Sequence, residues 1–275
     1  MADSYISNST GEALVVPVKA ATVYAAHESS LFLSGQLIPT VMTPNGILQV
    51  PEMSSGTAYS IAAGTLTGDV TAANPTFTKN TITADLFASR AIVRDLGGID
   101  PAEVGRSLGN AVSAAFDKKV ALALGSLTGQ EITAGDLDLE EIFAAVGTIR
   151  AAGETGQLFG IVSANAYAAL MGAIGSTAYA GGDLFQGQAL RSGFLGSIAG
   201  VQCFVSSYLN ATNTGVTGAK MAIFGQDALR IGMQKNVDVE VARRAEAVGF
   251  DVVASLHAAV GLIDATRGVL IKDAA

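Results

Sequence analysis

The stretch Val237-Asp-Val-Glu-Val-Ala-Arg-Arg, at residues 237–244, sets the pattern for the carboxy-terminal part of this chain. Its three valines alternate with Asp238 and Glu240, and a period of two is typical of a strand with one buried face. Three neighbouring segments are also strand-like: Ala228-Leu-Arg-Ile-Gly, Phe250-Asp-Val-Val-Ala and Ala258-Ala-Val-Gly-Leu-Ile-Asp. Residues 224–275 therefore predict a run of strands packed in a sheet, with no catalytic constellation among them.

The composition indicates a large core and little surface charge. The 275 residues are enough for one large domain or two intimate ones, and apolar residues make up 49% of them. Charged residues make up only 15%, below the roughly 25% of ordinary soluble domains. A chain so poor in charge is expected to cover part of its surface with copies of itself, with an alanine- and glycine-rich soluble enzyme as the alternative.

The acidic balance argues against two classes of partner. With a net charge of −8 and a pI near 4.7, the chain is expected to have no basic stripe for nucleic acid and no attraction to an anionic membrane surface. The first 30 residues lack the basic start and apolar run of a signal peptide. The uncharged residues 155–182 contain enough polar and glycine residues to predict strand, helix and loop rather than a membrane span.

The first 88 residues differ from the rest of the chain in the residue types that they contain. Residues 1–34 predict an irregular, extended arm, because Pro17 interrupts their apolar run. Residues 35–88 hold four of the six prolines, many threonines and the turn pair Asn45-Gly46. This combination predicts a long two-stranded loop, and a loop of such length in a compact domain is usually functional.

A long helix begins after Asp100 with clear signals. Asp100 is a good N-cap, and Pro101 suits the first helical position. Apolar residues then recur at a spacing of four up to Gly125, which predicts a helix of about 24 residues. Gly105 and Gly109 weaken its intrinsic propensity, so packing must hold this helix.

Two shorter helices and two strands follow. One helix begins at Asp138, and the next is capped by Ser163 and ends at Gly175. Residues 198–205 and 220–224 predict strands on either side of a polar loop. The mixed order of helices and strands favours an α+β fold over a doubly wound parallel sheet.

The residue types that usually carry chemistry are scattered along the chain. His27 and His257 stand alone, and Cys203 is expected to be a small core side chain with no second cysteine for a disulfide or a metal site. Ser107 lies in a match to the nucleophile-elbow pattern, Gly105-Arg-Ser-Leu-Gly, but that elbow needs a strand directly before the serine. The acids at 136–141 favour a helix start. We therefore predict no catalytic, cofactor-binding or metal-ligating residues, and a carboxylate pair assembled by folding is the open alternative.

Five segments follow one another in an order that is informative as a set. They are Ala88-Ser-Arg-Ala-Ile-Val-Arg-Asp-Leu-Gly-Gly-Ile-Asp-Pro-Ala-Glu, Ala121-Leu-Ala-Leu-Gly, Ile161-Val-Ser-Ala-Asn-Ala-Tyr-Ala-Ala-Leu, Gly193-Phe-Leu-Gly-Ser-Ile-Ala-Gly-Val-Gln-Cys-Phe-Val-Ser-Ser and Ala222-Ile-Phe-Gly-Gln-Asp-Ala-Leu. Together with the arm and the long loop, they resemble the major capsid protein of tailed bacteriophages, which has the Hong Kong ninety-seven type fold. The resemblance covers nearly the whole chain and depends on the order of the segments rather than on a single motif.

The resemblance implies a division of the chain into parts. Residues 1–34 would be an N-terminal arm, residues 35–88 an extended two-stranded loop, the E-loop, and residues 128–224 an axial domain. The peripheral domain would combine residues 89–127, which contain a long spine helix, with residues 225–275. The implied fold class is α+β.

The same resemblance implies a structural function. Copies of the chain would form hexamers and pentamers that close into an icosahedral shell around double-stranded DNA, with loops at 181–193 and 210–218 lining the centre of each ring. Implied partners are other copies, a separate scaffold, a portal and decoration proteins. Packaged DNA would be contacted weakly and without sequence specificity, and no membrane would be involved. The protein would reside in the virion after assembly in the host cytoplasm.

Two features depart from the family's pattern, and two other functions are alternatives. The sequence starts at the arm, with no long helical leader to act as an attached scaffold, which is why a separate scaffold is expected. Some members join subunits by a lysine–asparagine bond, but no motif around Lys79 or Asn236 supports that bond here. The alternative functions are an encapsulin-like nanocompartment shell and a soluble enzyme that uses carboxylates.

Overall fold

The structure is a computed structural model that describes residues 4–53, 77–94, 100–132, 137–175, 196–209 and 216–273. The helices are α1 (Ser4–Ser29), α2 (Pro101–Leu124), α3 (Leu139–Ala151) and α4 (Ala164–Gly175). The strands are β1 (Thr40–Met42), β2 (Ile47–Met53), β3 (Phe77–Thr83), β4 (Asp85–Arg94), β5 (Thr128–Ile132), β6 (Leu158–Ser163), β7 (Ser197–Ile198), β8 (Val201–Ser206), β9 (Ala219–Gly225), β10 (Leu229–Arg244), β11 (Gly249–Leu262) and β12 (Gly268–Asp273).

The long helix α2 is confirmed at both of its ends. The Asp100 carboxylate accepts a hydrogen bond from the backbone N–H of Ala102 at 2.9 Å, and Pro101 occupies the first turn. The helix ends at Leu124, with Gly125 as its C-cap. Because a cap satisfies backbone groups that the first turn leaves unpaired, the sequence alone sets where this helix begins.

The amino-terminal helix α1 shows that the prediction of an irregular conformation for residues 1–34 was wrong. Pro17 was taken as a break, yet it lies inside α1 on an exposed side. Packing outweighs its missing hydrogen bond, because Val18, Thr22 and Ala26 of α1 are buried on the side that faces α2. Gly105 and Gly109 of α2 allow this close approach: a β-carbon on Gly105 would lie 2.6 Å from the Val18 carbonyl oxygen.

The two shorter helices are also confirmed. Asp138 caps α3 through the backbone N–H groups of Glu140 and Glu141, and the Glu141 side chain binds back to the Asp138 N–H, which completes a capping box. The Ser163 hydroxyl accepts a hydrogen bond from Ala166 N–H at the start of α4. The acids before α3 therefore act as a helix start.

The first sheet contains four strands in the order β1-β10-β11-β4, with β1 parallel to β10 and the other neighbours antiparallel. The four strand-like segments of the carboxy-terminal region are two long strands, so their predicted division was wrong. In β10 the register shifts between Met233 and Lys235 and again between Lys235 and Asp238. Such irregularities break the period of two without ending the strand. Val237 and Val239 are buried, as the alternation predicted.

Helices α1 and α2 cover one face of this sheet. Val252, Ala254 and Leu256 of β11 are fully buried beneath them. The rings of Phe87 on β4 and Phe116 on α2 meet edge to face, with their centroids 5.8 Å apart. On the opposite face, Ile82 of β3 packs against Gly261 of β11, and Leu86 and Ile92 of β4 are exposed.

The second sheet contains six strands in the order β5-β12-β9-β6-β8-β7. Helices α3 and α4 contribute Ile142, Ile149 and Leu170 to its core. Residues 198–205, predicted as one strand, form β7 and β8, because Ala199 and Gly200 adopt positive φ angles of 54° and 80° and make a tight turn. The strand β9 is confirmed, whereas the sequence interpretation missed β12.

Two predicted regions lie largely outside the described residues. The loop at 181–193 is not among them, and of the loop at 210–218 only 216–218 are described. None of the described helices combines the length and apolar character needed to cross a bilayer.

Candidate functional site

The residues that the sequence considered for chemistry lie on separate elements. His27 is on α1, Ser107 is exposed on α2, Cys203 is buried on β8 and His257 is on β11. Burial raises the pKa of the Cys203 thiol to about 11, which makes it a poor nucleophile. Within the described ranges, histidine, cysteine and acidic side chains do not gather in groups of three or more that could hold a metal ion.

The charged side chains on the four-stranded sheet are used in pairs. Asp238 accepts a hydrogen bond from Lys19 of α1 at 2.7 Å and lies 3.0 Å from Lys235. These two cations hold the pKa of Asp238 far below its usual range. Arg90 of β4 grips both carboxylate oxygens of Asp251 on β11, and this hydrogen bonding lowers the pKa of Asp251. The charges therefore tie elements together and do not converge on a substrate pocket.

One buried carboxylate joins α2 to the end of α1. Asp117 accepts hydrogen bonds from the Ser30 hydroxyl at 2.5 Å and from the Leu31 N–H at 3.3 Å. Burial raises the pKa of Asp117 to about 6, although these hydrogen bonds oppose the shift. Ser30 in turn accepts from the backbone N–H groups of Phe32 and Leu33. The contact fixes the turn where the chain leaves α1.

The strands β2 and β3 form a two-stranded antiparallel excursion, as the sequence predicted for this region. Its base is closed by a hydrogen bond from Ala84 N–H to the Gly46 carbonyl at 2.8 Å. Ile82 rests on Gly261 of β11, and Leu48 rests on Gly232 of β10, where glycine leaves space for each side chain. Further from the base, residues such as Gln49, Pro51, Lys79 and Thr81 are exposed.

Large apolar side chains are exposed at several places on the described surface. Val16 and Tyr24 of α1 are 71% and 67% exposed, and Met42 of β1 is 67% exposed. Near Met42, the side chains of Val41 and Ile47 help to line a groove of about 350 Å³. Among the residues whose side chains the structure describes, the exposed large apolar ones are Val16, Tyr24, Val41, Met42, Ile47, Leu86, Ile92, Leu122, Phe143, Val205 and Val248.

The strand β4 is an edge of its sheet as far as the described residues extend. It pairs with β11 over Asp85–Arg94, so the other side of this long strand offers its backbone N–H and C=O groups. Leu86 and Ile92 are exposed on it. Open edges and exposed apolar side chains are the surfaces through which a second chain is bound.

The site that the described geometry supports is therefore a candidate contact surface. It consists of the β2–β3 excursion, the β4 edge and the exposed apolar side chains. The sequence predicted the excursion from its prolines and threonines, but it could not predict the edge, because exposure of an edge depends on which strands pair.

Comparison by sequence finds no relative: no family model matches the chain, and no curated protein does. Comparison by structure finds many. The capsid of the cyanophage P-SCSP1u is 15% identical, with a TM-score of 0.69 and coverage of 88% of each chain. The capsid of Ralstonia phage GP4 is 11% identical, with a TM-score of 0.64 and coverage of 87% of each chain. A virus-like particle from Pyrococcus furiosus is 11% identical, with a TM-score of 0.65 and coverage of 94% of this chain and 99% of that chain.

Proposed function

We propose that this chain, which has the α+β fold of the Hong Kong ninety-seven type capsid proteins, is the major capsid protein of a tailed double-stranded-DNA phage. The observation that carries the proposal is the extent of the likeness, which covers 88% of this chain and 88% of the cyanophage capsid chain. At 15% identity this likeness establishes the fold. The function is inferred from the fold together with the contact surface.

In this proposal the function of the chain is to bind other copies of itself. The β2–β3 excursion reaches over a neighbouring subunit, and open strand edges add main-chain pairing to the contact. Obligate interfaces bury upwards of about 2,000 Å² of surface. If burial of apolar surface contributes about 25 cal/mol per Å², such an interface supplies some tens of kcal/mol of favourable free energy, from which the costs of association are subtracted. With charged residues at only 15% of the chain, little charge has to be desolvated in such contacts.

The proposed parts are an N-terminal arm, an E-loop, a peripheral domain around the spine helix α2 and an axial domain around the six-stranded sheet. They differ from the division implied by the sequence at β12 (Gly268–Asp273), which lies in residues 225–275, assigned to the peripheral domain, but pairs with β5 and β9 in the six-stranded sheet. Two details of the structure adjust their description. The arm is helical over Ser4–Ser29. Residues near the beginning and at the end of the E-loop, in β1 and at the start of β4, are part of the four-stranded sheet.

The proposed assembly consists of hexamers and pentamers in an icosahedral shell that encloses the genome. The proposed partners are other copies, a separate scaffold, a portal and decoration proteins, and the packaged DNA is held weakly. The acidic balance supports this, because a strongly basic lining would grip the phosphates of DNA that must later leave. The protein is proposed to reside in the virion after assembly in the host cytoplasm, and to catalyse no reaction.

One observation favours a second candidate function, a shell that encloses something other than a phage genome. The likeness to the virus-like particle from Pyrococcus furiosus covers 94% of this chain and 99% of that chain. A nanocompartment shell would use the same subunit contacts. The two functions differ in what the particle contains, so the nucleic acid and the protein recovered from purified particles separate them.

The experiment is electron microscopy and sedimentation of the purified full chain, beside a variant without the excursion. Because Gly46 and Ala84 are joined by a hydrogen bond, residues 47–83 can be replaced by a short glycine linker without moving either end. We expect closed particles from the natural chain and folded, unassembled subunits from the variant.

Circular dichroism and a cooperative melting transition serve as the control that the variant is folded. Closed particles formed by the shortened chain would contradict the role given to the excursion. A small oligomer of the natural chain under all conditions, converting a metabolite, would overturn the proposed function as a whole.

A further inference from the structure

The chain passes between the four-stranded and the six-stranded sheet three times, first through α2 and residues 125–127, and the two later connections lie side by side. The turn at residues 226–228 joins β9 to β10, and the segment at residues 263–267 joins β11 to β12. The backbone N–H groups of Ile263 and Asp264 both donate to the carbonyl oxygen of Ala228, at 2.8 and 3.3 Å. A rotation of one sheet against the other would bend this pair of connections, together with the α2–β5 link, and would shift the hydrophobic core that both sheets share.

Arg267 lies at this crossing and contacts acidic side chains from three parts of the chain. Its Nε donates to Asp264 Oδ2 at 3.1 Å, within the same connection. One of its terminal nitrogens lies 3.4 Å from Glu154 Oε2, in the link between α3 and β6, and 3.6 Å from Asp227 Oδ2, in the other connection. A single planar guanidinium thus joins both crossings to the body of the six-stranded sheet.

Glu154 is held in place to receive this arginine. It is 7% exposed, and its carboxylate accepts the Gly156 N–H at 2.8 Å. Arg150 donates to the carbonyl oxygens of both Glu154 and Gly156 at 2.9 Å, which shapes the loop. Gly225 leaves room for the side chain, since a β-carbon there would lie 2.9 Å from Glu154 Cγ. A carboxylate buried to this degree needs a cationic partner, and Arg267 is the cation in contact with it.

The second acid of the cluster is also fixed before Arg267 binds it. Asp264 accepts hydrogen bonds from the backbone N–H and the hydroxyl of Thr266, at 2.9 and 2.7 Å. Burial acts to raise the pKa of Asp264, but these hydrogen bonds and the one from Arg267 outweigh it and keep that pKa below its usual value. Asp264 therefore stays ionised and available to the guanidinium.

We propose that Arg267 is the clamp of a hinge, and that it sets the angle between the four-stranded and the six-stranded sheet by joining Glu154, Asp227 and Asp264. With the guanidinium in place, the two connections and the α3–β6 link form one rigid unit. Without it, the buried carboxylate of Glu154 loses the ion pair described for it, and Asp264 and Asp227 are no longer joined to Glu154, although Asp227 keeps its pair with Arg230. The inference concerns the single chain and holds whether or not the proposed shell function is correct.

A distance measurement between the two halves tests the clamp directly. Ser107 on α2 and Ala144 on α3 are exposed on the helices of the two different sheets. Cysteines placed at these two sites carry spin labels, whereas Cys203 is buried with a raised thiol pKa and reacts poorly. Mixing the labelled chain with an excess of unlabelled chain keeps the measured distances within one subunit, assembled or not.

The test variant is Arg267→Gln, which keeps a long polar side chain but removes the positive charge and the guanidinium group that contacts several carboxylates at once. Asp264→Asn is the milder second variant, since an asparagine oxygen still accepts from Thr266 while the ion pair is lost. The matched control is Arg90→Gln, which removes an arginine–carboxylate pair to Asp251 that lies within the four-stranded sheet.

We expect the label-to-label distance distribution to broaden in Arg267→Gln and, to a smaller extent, in Asp264→Asn, and to stay as narrow as in the natural chain in Arg90→Gln. Hydrogen exchange at the Ile263 and Asp264 amides should accelerate by about tenfold or more in the first two variants only. Should Arg267→Gln not fold, Asp264→Asn decides. Unchanged distributions in the two clamp variants, or equal broadening in the Arg90 control, would overturn the proposal.

Discussion

Replacing Gly105 by alanine tests how α1 lies on α2. Inside a helix this exchange ordinarily stabilises a protein by about 0.5–1 kcal/mol, because alanine loses less backbone entropy on folding. At Gly105 the new methyl group would lie 2.6 Å from the Val18 carbonyl oxygen and 2.9 Å from the Ala21 β-carbon. Ordinary contacts between such atoms are about 3.5–4.0 Å long, so α1 has to move outward.

The magnitude follows from this displacement. Overpacking of a close contact costs about 1–3 kcal/mol, which exceeds the gain in propensity. We therefore expect Gly105→Ala to lower the free energy of unfolding by about 1–2 kcal/mol. Gly147 on α3 provides the matched control, because a β-carbon there would meet no atom within 4 Å. Gly147→Ala should raise the free energy of unfolding by about 0.5–1 kcal/mol.

The assay is urea unfolding followed by circular dichroism, with every variant in the same assembly state. Trypsin cleavage after Lys19 gives a second readout, because this residue lies in α1 and its side chain pairs with Asp238. Cleavage should accelerate in Gly105→Ala and stay unchanged in Gly147→Ala. If both alanine variants were stabilised alike, α1 would not pack against α2 as the structure has it.

Two further predictions concern a strained residue and a buried acid. Val248 has a positive φ of 47° and is exposed. Because asparagine tolerates this conformation better than a β-branched residue, Val248→Asn should raise the free energy of unfolding by about 1 kcal/mol. An unchanged or lower denaturation midpoint would show that the backbone at Val248 is not strained. Burial raises the pKa of Asp117 to about 6, well above that of an ordinary aspartate. The folded chain therefore binds this proton more tightly than the unfolded chain, and the resulting stabilisation is complete below about pH 4 and lost as the pH rises through about 6. Between about pH 5 and pH 7 the natural chain should therefore lose about 1–2 kcal/mol relative to Asp117→Asn, and parallel pH profiles of the two proteins would refute this.

The elements that could be predicted from the sequence are those with local signals. A cap residue acts on the turn that directly follows it, so Asp100 and Asp138 located two helix starts correctly. The alternation of Val237 and Val239 with charged residues reports one buried face, which is also a local property. The α+β class follows from the order of these elements, and the two-stranded excursion follows from its turn and proline signals.

The features that were missed depend on distant partners. Pro17 reads as a break until Gly105 and Gly109, far along the chain, supply a surface that accepts its helix. The bulges of β10 appear as gaps between short strands, because a shift in register is visible only against the neighbouring strand. The open edge of β4 and the cluster around Arg267 likewise arise from pairing between residues separated by more than a hundred positions, as in the pair of Arg267 with Glu154.

The strand pairing also dictates the order in which this chain can fold during synthesis. The early strands β1, β4 and β5 pair with β10, β11 and β12, which are synthesised much later. The pairs β2–β3, β6–β8, β7–β8 and β6–β9 can form sooner. Contacts this distant in sequence slow folding and leave apolar strand edges bare in the meantime. A cell that makes this protein in large amounts must therefore protect nascent chains from one another until β10, β11 and β12 have been synthesised, and these three strands complete both main sheets almost at once.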